Sequence, residues 1–446
     1  MKTKKTTQQD ITKIIEFRQA VHKSGFEKQR DVLIETVDAI CLTGGLTSFP
    51  VLSLSAMFRR QWHSLYKGVE RGQLNKKWLS QHLSQQVPQE GVQFYSLDGS
   101  AWPRPRARTM DDRQYVYHPT AAVNGRSVCI GYPYSLLDWV PEPHQSWSLP
   151  VSVERIPSQM TAVEMGIKQV KSLSENRSGM CNALDIVAAD AKYGNAMFLR
   201  PLQDQHCGIV ARMRKDRVLY FAPEQPEKRK RGRPRIHGQR FAFKEPDTWG
   251  TPDEIREFED PKMGLVKLER WNALHGKGDV DVPFDLIRAS IHLEKNKPPK
   301  PIWLAWQAPV SISDNLTVNA ELIWQAYRHR WPVEPGIRFR KQRLGWTTPH
   351  FHHKEAGDRW SWLVGLAVWM LYLSRPIVKD CPLPWQKPQA HLTPQRVQQS
   401  LPLIFAQFGT PARIPKPRGK PPGWQIGRPR ASKQRFKVVK KQPVKA

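Results

Sequence analysis

The chain has 446 residues, which is enough for two to four structural units and a full hydrophobic core. It contains 70 lysine and arginine residues against 40 aspartate and glutamate residues, giving a formal net charge of +30 and a pI near 10.1. A bias of this size does not determine a fold. It does indicate a polyanionic partner, and nucleic acid is the first candidate.

Cysteine content and hydropathy exclude several classes of protein. The five cysteines have no paired spacing, so we expect reduced thiols, and neither a disulfide framework nor a zinc site. The opening residues, MKTKKTTQQD, lack the apolar core of a signal peptide. The longest apolar run, Trp360–Leu373, is too short to cross a bilayer. We therefore expect a cytoplasmic protein with no membrane contact.

Residues 1–90 are predicted to be helical, because apolar side chains recur at helical spacing from Val32 to Leu42 before two glycines. The next amphipathic segment includes the basic residues Arg59 and Arg60. We expect a helical DNA-binding domain, since recognition of DNA ends requires exposed basic side chains on a helix. The alternative is a helical hairpin packed on the rest of the protein.

From residue 92 the pattern changes to short strands. The segment VQFYSLDGS predicts a strand that ends at Asp98, and two aromatic and β-branched runs follow it. Thr161 and Glu164 have the spacing of a capping box at the start of a helix. ALDIVAAD then predicts a buried strand that ends at Asp190. Three antiparallel strands, a helix and a parallel strand are the order of an RNase H-like core.

Asp98 and Asp190 are the candidate catalytic acids of this region. Each follows an apolar strand, at the edge where open α/β sheets bind ligands. An aspartate at a strand end is otherwise a turn former or a helix cap. We rank three other aspartates lower, because Asp111 and Asp112 lie in a polar loop and Asp185 begins its strand.

A long connection follows Asp190. The next candidate acid, Glu334, is 144 positions away (334 − 190), which is too far for a simple connection in a compact domain. We expect a basic, β-rich insertion over residues 218–300, after which the strand that contains Trp303 and Trp306 returns to the core.

Two short basic motifs resemble AT-hooks, in which glycine and proline let arginines reach the floor of a narrow minor groove. The first, RGRPR, contains Arg231, Arg233 and Arg235, and the second, GRPR, contains Arg428 and Arg430. Two matches in one strongly basic chain predict DNA contact. The alternative is nonspecific binding to phosphates.

The segment Trp324–Trp346 places one carboxylate, Glu334, among six cations. These are Arg328, Arg330, Arg338, Arg340, Lys341 and Arg343. Tyr327, Arg330, Glu334 and Lys341 stand at positions i, i+3, i+7 and i+14, which lie on one face of a continuous helix. An isolated acid in such surroundings is explained if it holds a metal ion while the cations hold phosphates.

Prolines interrupt this segment. Pro332, Pro335 and Gly336 lie between Arg330 and Lys341. Because an interior proline costs a helix about 3 kcal/mol, we expect a break or a kink near Glu334.

The pattern resembles the Tyr-x2-Arg-x3-Glu-x6-Lys signature of bacterial insertion-sequence transposases of the DDE class, and all four residues match. The resemblance implies that Glu334 is the third metal-binding carboxylate, with Asp98 and Asp190. It also implies that Arg330 and Lys341 hold phosphates of the transposon ends, and that Tyr327 contacts DNA or orients the glutamate. The implied cofactor is Mg²⁺, as two ions for which Mn²⁺ can substitute.

The family implies cut-and-paste transposition. Water hydrolyses a phosphodiester at the element's end, and the released 3′-OH attacks target DNA without a covalent protein intermediate. The implied partners are double-stranded DNA, as ends and as target, and a second copy of the chain in a synaptic complex at the bacterial nucleoid. Two alternatives remain: a non-catalytic DNA-binding protein derived from a transposase, and an RNase H-like nuclease without strand transfer.

In some related transposases a tryptophan of the insertion stacks on a flipped base. Trp249 and Trp271 are candidates here, and the alternative for both is core packing, since tryptophan more often buries area. His350, His352 and His353 have no further ligand at metal spacing, so we interpret them as a polar loop.

The predicted organisation has five parts. Residues 1–90 form a helical DNA-binding domain, and residues 91–217 and 301–376 form the two parts of an RNase H-like α/β core. Residues 218–300 form the insertion. Residues 377–446 form a basic, proline-rich and largely flexible tail that clamps DNA, with one apolar helical island near Val397–Phe408.

Overall fold

The computed structural model describes most of the chain. The described residues are 4–45, 48–117, 127–178, 182–223, 235–292, 299–310, 317–417, 423, 425–427, 429 and 432–441. Four of the five arginines of the two predicted AT-hooks, Arg231, Arg233, Arg428 and Arg430, lie outside these ranges. Arg235 is described and is exposed.

The α-helices are α1 Lys4–Ala20, α2 Arg30–Leu42, α3 Trp62–Arg71, α4 Lys76–Gln85, α5 Ala162–Arg177, α6 Ala196–Leu199, α7 Ala320–Arg328, α8 Val333–Gln342, α9 Lys354–Ser374 and α10 Pro394–Ser400. The predicted capping box begins α5, where the Thr161 hydroxyl accepts from the Glu164 N–H and the Glu164 carboxylate accepts from the Thr161 N–H. None of the helices in the described ranges is long and apolar enough to cross a membrane.

The strands are β1 Phe26–Lys28, β2 Gln73–Leu74, β3 Glu90–Pro103, β4 Gln114–Tyr117, β5 Val128–Trp139, β6 Leu149–Arg155, β7 Asn182–Ala189, β8 Cys207–Arg212, β9 Val218–Tyr220, β10 Arg240–Ala242, β11 Glu254–Asp260, β12 Gly264–Gly276, β13 Asp279–His292 and β14 Ile302–Gln307. Within the described residues, β1 and β2 pair with each other, and the other 12 strands form one mixed sheet.

The centre of this sheet has three antiparallel strands, a helix and parallel strands, as predicted, but the third antiparallel strand is β6, which the sequence did not predict. One of the two predicted aromatic and β-branched runs is instead the edge strand β4. The order at the centre is β6-β5-β3-β7-β8, in which β5 pairs antiparallel with β3 and β6, while β3 pairs parallel with β7 and β7 with β8. Helix α5 connects β6 to β7. Strand β7 is buried on both faces from Leu184 onwards and is apolar there except for Asp185, as expected for a central parallel strand. The prediction of an α/β, RNase H-like core with a large mixed sheet is confirmed.

The inserted strands extend this sheet beyond β8. Strand β14, which contains Trp303 and Trp306, pairs antiparallel with β8, and β13 and β12 follow in turn. Strand β12 also pairs with β9 and β11. A continuous sheet satisfies the backbone groups that an open β8 edge would leave unpaired. The β-rich character predicted for this region is therefore present as a prolongation of the core sheet.

Helices α1–α4 pack on the core. Helices α1, α2 and α3 contact α9, while α4 contacts α5 and β6. This is the packed arrangement that the sequence left as the alternative. Arg59 is exposed and Arg60 is partly buried, and both pair with Glu35, whose side chain is 0% exposed. A buried carboxylate requires such countercharge. Lys67 and Arg71 of α3 are exposed.

The first part of the predicted tail is packed, which differs from the expectation of a largely flexible segment. Val397, Leu401, Phe405 and Phe408 are all buried in the main apolar cluster. Arg18 of α1 donates hydrogen bonds to the carbonyls of Phe408 (3.1 Å) and Gly409 (2.7 Å). The apolar island near 397–408 thus folds against the N-terminal helices, because its side chains complete their core.

Candidate active site

Asp98 and Asp190 lie side by side at the centre of the sheet. Strand β3 pairs parallel with β7 as far as Leu97 and Ala189, and each aspartate is the next residue along its strand. Neighbouring strands are about 4.8 Å apart. Asp98 accepts a hydrogen bond from the Gly99 N–H (2.7 Å), and Asp190 accepts one from the Lys192 N–H (2.9 Å). Two carboxylates 92 positions apart in sequence (190 − 98) are therefore neighbours in space.

The position of Asp98 within its strand differs from the prediction. Strand β3 continues to Pro103, so Asp98 is in the interior of the strand, opposite Leu136 of β5. Only the parallel pairing with β7 stops before it. The antiparallel partner β5 is longer than β7 and keeps the strand extended beyond the aspartate.

The signature segment forms two helices joined by a turn. Helix α7 ends at Arg328, a turn follows, and α8 begins at Val333, so the break predicted near Glu334 is present. Pro332 directly precedes α8 and Pro335 lies in its first turn, where a missing N–H leaves no helical bond unmade. Glu334 is also in this first turn and is exposed.

Arg330 lies in this turn and connects it to the sheet. Its guanidinium Nη2 donates a hydrogen bond to Asp98 Oδ2 at 3.1 Å. Its buried Nε has no hydrogen-bond partner among the described residues. The guanidinium thus donates to Asp98 through Nη2 and has a second donor, Nε, to which no described residue offers an acceptor.

The charges at the site form one electrostatic cluster. Burial raises the pKa of Asp98, and the negative charges of Asp190 and Glu334 add to that effect, while Arg330 opposes it. Burial disfavours the charged form of Arg330, but Asp98, Tyr327, Asp190 and Glu334 outweigh it and raise the pKa of the guanidinium. The charges of the α7–α8 region and of the two aspartates therefore act on each other through space.

Three carboxylates offer the hard oxygen ligands that Mg²⁺ prefers. Across the described parts of the chain, however, no three His, Cys, Asp or Glu side chains are arranged so that they could hold a metal ion. Asp98 is instead hydrogen-bonded to Arg330. The donor set fits the metal, but in this conformation the ligands do not close around a common point.

The two remaining signature residues, Tyr327 and Lys341, lie in different surroundings. Tyr327 is 9% exposed, stacks on Trp324 with ring centroids 6.3 Å apart, and lies near Arg330. Lys341 lies elsewhere: its ammonium is 5.9 Å from the Trp346 ring centroid, and burial lowers its pKa. Because the helix breaks, the spacing i+14 does not place Lys341 on the same face as Tyr327.

Two arginines of the Trp324–Trp346 segment form ion pairs with acidic residues of the protein itself. Arg340 is 2% exposed and pairs with Asp138, whose side chain is fully buried, and Arg328 pairs with Asp260. The sequence signal for this was weak, because Asp138 is 202 positions from its partner. Arg338 is exposed.

The aspartates that were ranked lower are each engaged in an ion pair. Asp185 is buried and pairs with the buried Arg177 at 2.9 Å. Asp111 pairs with Lys354, and Asp112 pairs with Arg155. These contacts give all three a structural role.

Both tryptophans predicted as candidates for base stacking pack inside the protein, Trp271 fully buried and Trp249 partly buried. Trp271 is 1% exposed, and Trp249 donates from Nε1 to the Ala242 carbonyl at 2.7 Å, within an aromatic cluster that includes Trp303. Trp331, which the sequence analysis passed over, is 55% exposed in the turn between Arg330 and Glu334. Its position within the signature was the available signal.

Comparisons with known proteins bear on this site. The family model described as DDE superfamily endonuclease matches residues 19–265, more than half of the chain. The match includes Asp98 and Asp190 and ends before Glu334. No curated protein matches the chain. Among solved structures, the cryo-EM structure of the piggyBac transposase synaptic complex with hairpin DNA matches at a TM-score of 0.37 and 12% identity, covering 91% of this chain and 80% of that chain. The family match shows that this chain belongs to the DDE superfamily endonuclease family.

Proposed function

We propose that the protein is the transposase of an insertion sequence, which hydrolyses phosphodiesters at the element ends and transfers the 3′-OH strands into target DNA. The observation that carries the proposal is the pair Asp98 and Asp190 on adjacent parallel strands, faced by Arg330 and Glu334 from the α7–α8 turn. The net charge of +30 suits a protein that must hold several DNA segments against their mutual repulsion.

In this proposal Asp98, Asp190 and Glu334 hold Mg²⁺, and Mn²⁺ can substitute. Bound divalent ions would activate the attacking oxygen and stabilise the leaving one. Arg330 binds a phosphate through the donors it does not spend on Asp98, including Nε. Tyr327 would contact DNA or orient Glu334. Trp331 offers an exposed ring on which an unpaired base can stack.

The proposal also includes the other predicted DNA-binding residues and a dimeric state. Lys341 and the AT-hook arginines Arg231, Arg233, Arg235, Arg428 and Arg430 would bind DNA away from the carboxylates. The chain would act as a homodimer, because two element ends must be held together before strand transfer.

The test is cleavage of a supercoiled plasmid that carries the gene's own flanking DNA, with Mg²⁺, Mn²⁺ or no divalent ion. We expect wild type to excise the segment, and Asp98→Asn, Asp190→Asn and Glu334→Gln to bind the ends without cutting. Glu321→Gln is a matched control, because Glu321 lies on α7 and its carboxylate accepts a hydrogen bond from Gln325 (3.1 Å), with no other side-chain hydrogen bond to the described residues.

The outcomes separate the alternatives. Cutting by Glu334→Gln would remove Glu334 from the site. Binding without cutting by wild type under every metal would favour a DNA-binding protein without catalysis. Cutting of paired ends without any joined product in the presence of target DNA would favour a nuclease.

A further inference from the structure

A second basic surface lies at the β4 edge of the sheet. Residues 432–441, which we name the C-terminal strap, run along the loop that precedes β4. The Phe436 N–H donates to the Arg108 carbonyl at 2.8 Å, and the Val439 N–H donates to the Arg113 carbonyl at 2.8 Å. Val439 also forms a parallel bridge with Gln114. The strap therefore extends the β4 end of the sheet.

A buried arginine holds the strap in place. Arg113 is 2% exposed, and its Nη2 donates to the Phe436 carbonyl at 3.0 Å. The same guanidinium donates to the carbonyls of Met110 (3.2 Å) and Pro105 (3.2 Å). Burial of a charge is costly unless its donors are satisfied. The docking of the strap is therefore part of the fold of this loop.

The outward face of the strap is cationic. Lys433, Arg435 and Lys437 occupy alternate positions and are exposed, while Phe436 between them is partly buried. Alternate residues of an extended chain point to the same side. Arg106 and Arg108 of the supporting loop are exposed too. No acidic side chain in the described ranges forms an ion pair with any of these five cations.

The end of the strap contacts the loop that precedes α5, where the Lys441 ammonium donates to the Met160 carbonyl at 2.8 Å. Burial lowers the pKa of Lys441, and the positive charge of nearby Lys192 lowers it further, while the carboxylates of Asp112 and Glu164 oppose the shift. The Lys192 N–H donates to the Asp190 carboxylate at 2.9 Å. The end of the strap and Asp190 therefore share Lys192 as a neighbour.

We propose that the C-terminal strap, with Arg106, Arg108 and Lys192, is a binding wall for the phosphate backbone of duplex DNA that leads to Asp190. The inference rests on the proposed function, since it takes the substrate to be DNA. The occupant follows from the unpaired positive charge along the wall and from its continuity with the carboxylate site. Contacts of this kind position DNA and carry no sequence preference.

The test uses full-length protein and a fluorescent duplex of arbitrary sequence, with binding measured over a range of salt concentrations without divalent ions. The variant combines Lys433→Gln, Arg435→Gln and Lys437→Gln. We expect a fall in affinity of roughly tenfold or more and a salt slope smaller by up to about 3, because each phosphate contact contributes about 0.9. Since all three side chains are exposed, the melting temperature should not change.

The matched control combines Lys215→Gln, Lys244→Gln and Lys277→Gln, three exposed lysines near β9, β10 and β12 on the other side of the sheet. An equal loss in the control would overturn the proposal, because net charge alone would then explain it. A strap variant whose DNA binding depends on salt with the same slope as wild type would also overturn the proposal. The same holds if the strap variant binds a matched RNA duplex more weakly while it binds DNA as wild type does. Binding is measured without cleavage, so failure of the transposase proposal would be seen separately in the plasmid assay.

Discussion

At the scale of single residues, Arg330 stabilises the charged form of the Asp98 carboxylate. Its hydrogen bond to Asp98 at 3.1 Å supplies positive charge at a site that Asp190 and Glu334 make more negative. A divalent ion would supply the same charge and compete for the same carboxylate. A DNA phosphate competes for Arg330 in turn, so DNA binding would release Asp98 for the metal.

The corresponding prediction concerns Arg330→Gln. Removing one positive charge near Asp98 should raise the affinity for Mn²⁺ without DNA by roughly tenfold or more, because the cation loses a competitor. Two unit charges ~4 Å apart repel by about 4 kcal/mol at an effective dielectric constant near 20, and about 1.4 kcal/mol corresponds to a factor of ten. Cleavage should fall in the same variant, because a phosphate contact is lost. Isothermal titration with Mn²⁺ and the plasmid assay measure the two effects.

Arg328→Gln is the control for this pair of measurements, because Arg328 pairs with Asp260 and no interaction joins it to Asp98 among the described contacts. Its affinity for Mn²⁺ should match that of wild type. An Arg330→Gln protein that binds Mn²⁺ no better than wild type would show that the ion pair does not compete with metal.

At the scale of elements, the turn between α7 and α8 is held by His329. The imidazole stacks on Phe94 of β3 with ring centroids 3.8 Å apart, and Nδ1 lies 2.8 Å from the Gln325 carbonyl. Burial lowers the pKa of His329 to about 4, and nearby His144 and Arg328 lower it as well, against the hydrogen bond to Gln325. A neutral ring is thus required to dock the turn on the strand that contains Asp98.

This predicts a loss of stability in acid. Between pH 6.5 and about 4 the unfolded chain binds a proton at His329 that the folded chain does not bind, so the free energy of unfolding decreases as the pH falls through that window. The decrease from this group is about 2 kcal/mol at pH 5. Urea unfolding at pH 7.5 and pH 5 should show a smaller difference for His329→Gln than for wild type.

His352→Gln is the matched control, since His352 is exposed. Its stability should depend on pH as that of wild type does. If His329→Gln and wild type lose the same stability between the two pH values, protonation of His329 does not oppose folding.

At the scale of the whole molecule, the two ends of the chain share one core. Arg18 pairs with Asp38 at 2.6 Å and donates to carbonyls of the C-terminal segment, and Gln398 donates to the carbonyls of Ile40 (3.3 Å) and Thr43 (3.2 Å). Four apolar side chains of residues 394–408 are buried in the same cluster. The effect of a C-terminal truncation on stability therefore depends on whether it removes residues 394–408.

A chain that ends at residue 376 should not fold stably. Burial of Val397, Leu401, Phe405 and Phe408 contributes roughly 1.5–3 kcal/mol each, so its loss is comparable with the roughly 5–15 kcal/mol that stabilises a domain. A chain that ends at residue 417 retains these residues and should melt close to wild type. Circular dichroism against temperature checks both. Equal melting temperatures for the two truncated chains would show that the segment is dispensable.

The sequence by itself determined the order of elements in the RNase H-like core apart from β6, the presence of inserted strands, the break near Glu334 and the identities of the candidate acids. These depend on local patterns: apolar periodicity, turn residues, prolines and the spacing of a motif. The family match covers residues 19–265, which include Asp98 and Asp190 but not Glu334. The metal, the DNA contacts and the strand transfer remain proposals.

Only the tertiary structure decided which charged residues are available. Arg59, Arg60 and Arg340 resemble DNA-binding cations in sequence, yet each pairs with a buried carboxylate. In the tertiary structure Trp331 is exposed, Lys341 lies near Trp346, and the C-terminal strap is hydrogen-bonded to the loop before β4. The physical reason is that burial and countercharge depend on partners far away in the chain, and local spacing contains no information about those partners.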